Sequence, residues 1–454
     1  MKYLYYKITI TIILIITIYH SFSQNNLSMY NMTLPQQKYY NPALCTTYTF
    51  YISIPTLSYI NVAFSNRLSF DDILHKRDYD DSLEINLSDI ISKLKKNNLL
   101  SFDYHHELIS AGFRIKKNIF NFNITEHASV RFNYPQDLIK LLNGNAQFYN
   151  NNTPADISNL KINAVHYRDY SIGYTRIINN KLIAGISLKY LNGGENIWVE
   201  KNKILLQIED TAITATTNYK INSSIPEEFD TKHFINSKNV GFAFDIGAQY
   251  KINSKISVAA SFIDIGSIKW KENAKNFSSN NTFTFKGVDF NDIFGPESQT
   301  NNNNTNIDNN STFNNYFDSI ANTFNPVETK ESYKAPIPKK IYISSSYIFN
   351  DKNTISIMLR NEFVNNITVP SMTLQYIHNF GKIFALTSSY SIYNRNANNI
   401  GLGYVLNLGA FQFYTITDNI LPLITSINKT KYLNIAFGFN LSFKSKESKD
   451  KLSI

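Results

Sequence analysis

From Lys339 to Phe443 the chain alternates apolar residues with small or polar ones, in successive runs with little between them. The last run is the cleanest. Leu433, Ile435, Phe437, Phe439, Leu441 and Phe443 fall on one side of an extended chain, and Asn434, Ala436, Gly438, Asn440 and Ser442 on the other. Side chains of a strand alternate faces with period two, so one face of this segment is apolar throughout. Ile400 to Leu408 repeats the pattern, with Gly401, Gly403, Val405 and Asn407 opposite the larger residues.

The same period runs back through the chain. A first strand spans Thr46 to Ser65 with a bend at Pro55, because proline removes a ladder hydrogen bond. Paired runs follow at 108–116 with 119–134, 160–177 with 182–198, and 240–251 with 255–270. Three more pairs are 341–349 with 354–363, 371–380 with 383–393, and 399–408 with 411–417, before a closing strand at 432–443. Asn, Asp and Gly at the hinges supply the positive φ that tight hairpins need. The total is fourteen strands, with tight turns at one end and long connections at the other: 66–107, 135–159, 199–239 and 271–340 lead them. Short turns on one side and long loops on the other predict an all-β fold, a closed antiparallel transmembrane β-barrel with both termini on the periplasmic side. Short amphipathic helices are expected in the outer loops, around Leu87–Leu94 and after Pro135. Further strands beyond the membrane are expected at Leu205 to Lys220 and Thr282 to Lys286. Trp198 and Trp270 end strands running outward and are expected to sit in an aromatic girdle at the outer interface.

Composition adds an address. Residues 1–23 read as a secretory signal: Lys2 and Lys7, an apolar core from Ile8 to Ile18, and Ser21 and Ser23 before a cut ahead of Gln24. Such a cut removes two lysines and takes the formal charge from +9 to +7, which suits a phosphate-rich membrane surface; an exported chain rarely meets nucleic acid. The one cysteine, Cys45, has no intrachain partner. No later segment has 18 consecutive apolar residues, so the strands are left to span. The expected division is signal 1–23, a hatch-like segment 24–45, barrel 46–443 and a periplasmic tail 444–454, in an outer-membrane monomer facing lipid and lipopolysaccharide.

Several stretches resemble a known family: Tyr39 to Leu44, Ile263 to Trp270 with Phe283 to Gly287, Ala335 to Ile341, Ser389 to Arg395, Gly401-Leu402-Gly403 and Phe411 to Tyr414. Together they look like a Bacteroidetes family of outer-membrane proteins of unknown function, related to the FadL- and PorV-type barrels. That resemblance implies fourteen strands and brings no active site with it. FadL-type proteins carry an N-terminal hatch and move hydrophobic molecules, whereas PorV-type barrels hold a secreted partner. Only residues 24–45 precede the first strand here, shorter than that hatch, which argues against a full plug.

Candidate chemistry is sparse. His105-His106-Glu107 is a poor chelate, because adjacent strand residues face opposite ways. Asp71, Asp72, Asp78, Asp80 and Asp81 lack the glycine and distal glutamate of a calcium loop. His166 and the serines fix no catalytic triad geometry. No enzyme, metal or cofactor is expected. Asp81-Ser-Leu83, Asp210-Thr-Ala212 and Asp318-Ser-Ile320 resemble short O-glycosylation acceptors and fall in outer loops. Charges on the small-residue face of strands carry more information. Arg114, Lys116, Asp245, Gln249, Arg360 and Glu362 are the candidate lumen lining. An Arg facing lipid near the midplane costs about 2–4 kcal/mol, so Arg360 belongs inside. Such charges serve either as structural ion pairs or as a selectivity lining. The expected function is passage of a small hydrophobic molecule, and the alternative is a barrel whose outer loops hold a partner protein. A lumen packed with aromatic rings and ion pairs would weigh against passage.

Overall fold

The computed structural model describes residues 29–30, 32–44, 48–77, 80, 82–227, 238–285, 326–364, 367–393 and 396–443. The expected signal, the tail, Cys45, Asp78, Asp81, Lys286, Asp318 and the run 297–315 lie outside them.

Nineteen strands carry the architecture. In chain order they are β1 (Phe50–Ser53), β2 (Tyr59–Ser65), β3 (Asn97–Ile115), β4 (Asn118–Pro135), β5 (Lys161–Ile177), β6 (Leu182–Ile208) and β7 (Ile213–Ser224). Next come β8 (Val240–Lys251), β9 (Ile256–Trp270), β10 (Ala274–Phe285), β11 (Val327–Thr329), β12 (Tyr333–Pro336) and β13 (Lys339–Asn350). The last six are β14 (Asn353–Val364), β15 (Ile367–Phe380), β16 (Phe384–Tyr393), β17 (Asn396–Leu408), β18 (Phe411–Thr417) and β19 (Tyr432–Phe443). Neighbours pair antiparallel round a ring. β19 meets β1 at Phe50↔Phe443 and β2 at Ile60↔Phe437, and both of these pair on to β3. With β1 and β2 sharing one position, and β12 and β13 another, the ring is a closed fourteen-stranded barrel. β7, β10 and β11 stand outside it. They pair on the far half of β6 as a sheet beyond the loop end, where extra strands were expected.

The turns show why the hairpins fold where they do. Asn179 Oδ1 accepts the backbone N–H of Lys181 and Leu182, Asn253 that of Lys255 and Ile256, and Asn350 that of Lys352 and Asn353. Each is a side chain closing its own turn. Gly381, Gly409 and Lys116 take positive φ at three others. Lys116 is therefore a correction: it sits exposed in the β3–β4 turn, because the tight hairpin uses it as the left-handed residue rather than as lumen lining.

Outside the ring, the apolar faces stay bare. Phe242 is 72%, Ile172 66% and Leu188 63% exposed, values that need a nonaqueous neighbour. Near the turn end, rings link Phe50 to Phe443, Phe113 through Phe120 to Tyr174, and Phe380 through Phe384, Tyr404 and Phe413 to Phe439, with centroids 4.7 to 6.2 Å apart. The girdle is thus built from Phe and Tyr.

At the loop end, β3, β4 and β5 meet a coat of short helices. α1 (Phe70–Ile73), α2 (Leu87–Lys93) and α3 (Gln136–Leu142) enclose Leu68, Ile90, Leu94 and Tyr134, with Leu100 and Phe132 of the wall. α2 starts at an Asn86 cap, whose side chain accepts the Asp89 N–H. Asp72 ties the coat together. It completes a capping box with Ser69 and holds Lys93 at 3.1 Å and Lys431 at 3.0 Å. Burial alone would raise its pKa, but the Ser69 amide and the two ammoniums hold the carboxyl well below the usual carboxylate range.

Two outcomes are expected. Leu188→Arg puts a charge in the bare apolar band and should cost about 2–4 kcal/mol in denaturant unfolding from lipid vesicles, whereas Leu83→Arg in the outer loop should cost almost nothing. Because Asp72 is depressed on folding, its stabilisation is complete above the unfolded value of about 3.9 and is lost as pH falls through the folded value. Amide protection of α1 should therefore fall on acidification below about pH 4, and Asp72→Asn should lack that protection at every pH.

Candidate functional site

A ring of fourteen strands is wider than its own side chains can fill. Residues 29–30 and 32–44 run inside it as a plug, with Met29, Leu34, Gln36 and Asn41 at most 1% exposed. A Pro35–Tyr39 turn of 3₁₀ helix is started by its proline, whose missing N–H costs nothing there. The plug packs Met29, Met32, Leu34 and Tyr40 into an apolar core with Tyr59, Tyr342, Met358 and Ile416 of the wall, and polar side chains tie it to strands all round the ring. Gln36 Nε2 donates to Asn440 Oδ1 at 2.9 Å and Glu107 Oε1 at 3.2 Å. Lys38 Nζ lies 3.3 Å from Glu107, 2.6 Å from Ser110 Oγ and 3.2 Å from Tyr51 OH, and the Tyr39 hydroxyl donates to Glu107. Asn41 donates to the Ala248 and Ala260 carbonyls, and Thr175 to that of Pro42. Gly185 and Gly247 make room for this passage: a Cβ on either would lie 2.3 Å from Pro42 O or 2.0 Å from Asn41 Oδ1. The short N-terminal segment thus blocks the lumen more fully than its length suggested.

Above the plug the inward charges form two networks. Arg131 of β4 reaches Asp103 at 2.8 Å and Glu362 of β14 at 2.7 Å, while Arg360 also binds Glu362 and donates to the Tyr342 hydroxyl at 3.3 Å. β4 and β14 are far apart round the ring, so a bridge between them requires the walls to approach within the reach of two side chains. The second network is a ladder over neighbouring strands. Lys189 holds Asp245 at 2.8 Å and Asp264 at 2.6 Å, and Lys340 holds Asp264 at 2.7 Å. Of the expected lining, Arg360, Glu362 and Asp245 are buried in these networks. Gln249 and Arg114 lie nearer the turn end, where Arg114 Nε donates to the Lys116 carbonyl.

The partners were harder to see. Asp103, His105 and Glu107 belong to the first eleven residues of β3, read from sequence as loop. An extra residue opposite β4 between Glu107 and Ile109 shifts the alternation there. His105 faces Tyr39 and Tyr59 inside, whereas His106 faces out to the Thr56 carbonyl, so the rings point apart as strand geometry requires.

Two further bulges correct the girdle. Irregular pairing opposite Tyr167, at Gly193 to Asn196, and a bulge at Asp264 with φ 60° each shift the alternation by one residue. Trp198 and Trp270 therefore turn inward. Trp270 is fully buried, packed near Gly193 and stacked on Tyr333 at 6.4 Å, with Trp198 at 6.3 Å from the same ring. With Val165, Leu191, Ile268 and Ile337 they close part of the loop end with an apolar core.

On the outer wall an apolar groove of about 320 Å³ lies between β3, β4, β5 and β6, walled by Phe102, Ala128, Val130, Ala164, Ile197 and Ile225. His166 and Glu195 also line it. His166 bridges Glu126 at 2.7 Å and Glu195 at 2.6 Å, and Arg168 holds Glu126 at 2.6 Å. The second carboxylate oxygen of Glu195, Oε1, is buried without a hydrogen-bond partner.

A sequence family described as "Family of unknown function (DUF5723)" matches residues 42–418. None of the curated proteins matches this chain. Among solved structures, the Pseudomonas putida toluene transporter TodX is similar at 9% identity and TM-score 0.38, over 94% of this chain and 96% of that one. A Pseudomonas aeruginosa FadL homologue is similar at 8% identity and TM-score 0.37, over 94% of this chain and 99% of that one.

Glu362→Ala would leave two buried guanidiniums without their shared acceptor. It should lower unfolding stability in vesicles by about 3–5 kcal/mol, as expected for breaking a buried pair. Arg114→Ala, near the turn end, should cost under about 1 kcal/mol in the same measurement.

Proposed function

We propose that this chain, which belongs to the Family of unknown function (DUF5723), is an outer-membrane barrel that passes small hydrophobic molecules, with the N-terminal plug as its movable closure. The observation that carries the reading is the nature of the closure. The lumen is blocked by a separate segment, which packs an apolar core against the wall around Leu34 and Tyr40 and is otherwise tied by hydrogen bonds and one ion pair at Glu107. Such ties exchange for water one by one, whereas strand pairing in lipid does not. A lumen filled by the plug and, above it, by the cross-ring ion pairs of Arg131, Arg360 and Glu362 weighs against free diffusion through a standing pore, and passage requires the plug to shift. The loop helices spend their apolar faces on the wall, which leaves the outer-wall groove as the apolar surface on which a ligand gathers. A second reading, a barrel holding a partner protein, rests on the outer sheet of β6, β7 and β10.

Vesicles carrying the full chain test the first reading with an apolar dye, N-phenylnaphthylamine. The native protein should raise dye entry over empty vesicles without a potassium leak. Glu107→Gln weakens the tie on Lys38 and should raise entry several-fold while heat-modifiable gel mobility stays native. No entry through either protein, both folded, counts against passage. Co-purification of a surface protein in that case favours the second reading.

A further inference from the structure

We propose that the outer-wall groove binds an uncharged amphiphile, an apolar body bearing one hydroxyl, whose hydrogen is donated to Glu195 Oε1. The proposal rests on the passage reading for its purpose but on the groove for its chemistry. Three observations converge. The walls are aliphatic and aromatic, from Phe102, Ala128, Val130, Ala164, Ile197 and Ile225. Ile225 is 39% exposed on the side toward solvent or lipid and has apolar surface left to cover. The volume, about 320 Å³, is roughly twice that of an apolar cavity known to hold benzene, which suits one ring with a short chain, or two rings.

A fourth observation decides the head group. Glu195 Oε2 is held by His166 Nδ1, yet Oε1 is buried with no donor. A carboxylate oxygen left this way forgoes a charge-assisted bond, so a ligand that supplies a donor gains more than its apolar contacts. Glu126 and Glu195 already face Arg168 and His166, so the rim carries its own cations. A neutral hydroxyl meets the remaining acceptor without bringing another charge into an apolar groove, where burying one is costly. The smallest side chains lining the groove are those of Ala128 and Ala164. Larger side chains at these positions would fill it.

The test uses the full chain in lipid nanodiscs, with empty nanodiscs as the partition control. The ligands are 4-hexylphenol and its methyl ether 4-hexylanisole, alike in bulk but unequal in hydrogen donation. The phenol should bind about tenfold more tightly, a gap of about 1.4 kcal/mol. Glu195→Ala should bring the phenol down to the level of the ether, and Ala164→Trp should weaken both more than tenfold. Native gel mobility of each variant shows that the barrel is folded. Equal binding of the two ligands to the native protein, or phenol binding that survives Ala164→Trp, overturns the site. The same ligands in the vesicle assay separate the two readings. Groove binding without any entry upholds the site and defeats passage, while entry without groove binding does the reverse.

Discussion

Hydrocarbon offers a peptide group no hydrogen-bond partner, so a sheet that meets lipid must satisfy every edge by closing on itself. In this chain that requirement falls on β19, which pairs with β1 and β2 although they lie almost at opposite ends of the sequence. Closure divides each strand into two faces with different solvents. The outward face can stay bare, as Phe242 and Leu188 do, and the inward face inherits a space that must be wetted or filled.

Here it is filled, and with charge. Placing Arg131, Arg360 and Glu362 in a common contact, and Lys189 between Asp245 and Asp264, meets the rule that buried ions need paired, hydrogen-bonded partners. The low local dielectric makes each pair stronger and each loss more costly. The cross-ring contact also shapes the molecule, since the two walls must lean together to make it. The plug occupies the other part of the interior through an apolar core around Leu34 and Tyr40 together with amides, hydroxyls and one lysine. Ion pairs above and the N-terminal segment below divide the interior into two layers.

Much of the ring was legible in the sequence, because alternation of apolar and polar residues is the direct imprint of two solvents. β8, β18 and β19 have the bounds that the pattern gives, and asparagine marks three turns that its own side chain closes. Legibility failed where one inserted residue changes the phase. Beyond the irregularities at Gly193 to Asn196 and Asp264, parity counted from Tyr190 or Phe262 assigns Trp198 and Trp270 to the wrong face. The start of β3 was lost for a related reason: inward Asp103, His105 and Glu107 look like loop polarity until the partners across the lumen are known. Pairing across the ring leaves no local trace. Arg131 and Glu362 are 231 residues apart, and nothing near either announces the other.

The plug lies upstream of the first strand, yet its contacts come from strands spread between Tyr51 and Asn440. The seam that seals the ring joins the two extremes of the chain, so it forms only after all the intervening strands exist. A seam sealed first would leave the N-terminal segment to be threaded through an open mouth, past the charged layer or against the turns. A segment already lying among the unsealed strands is simply caged when the last one zips home. The order of assembly is thus written into the position of a segment that forms no part of the wall.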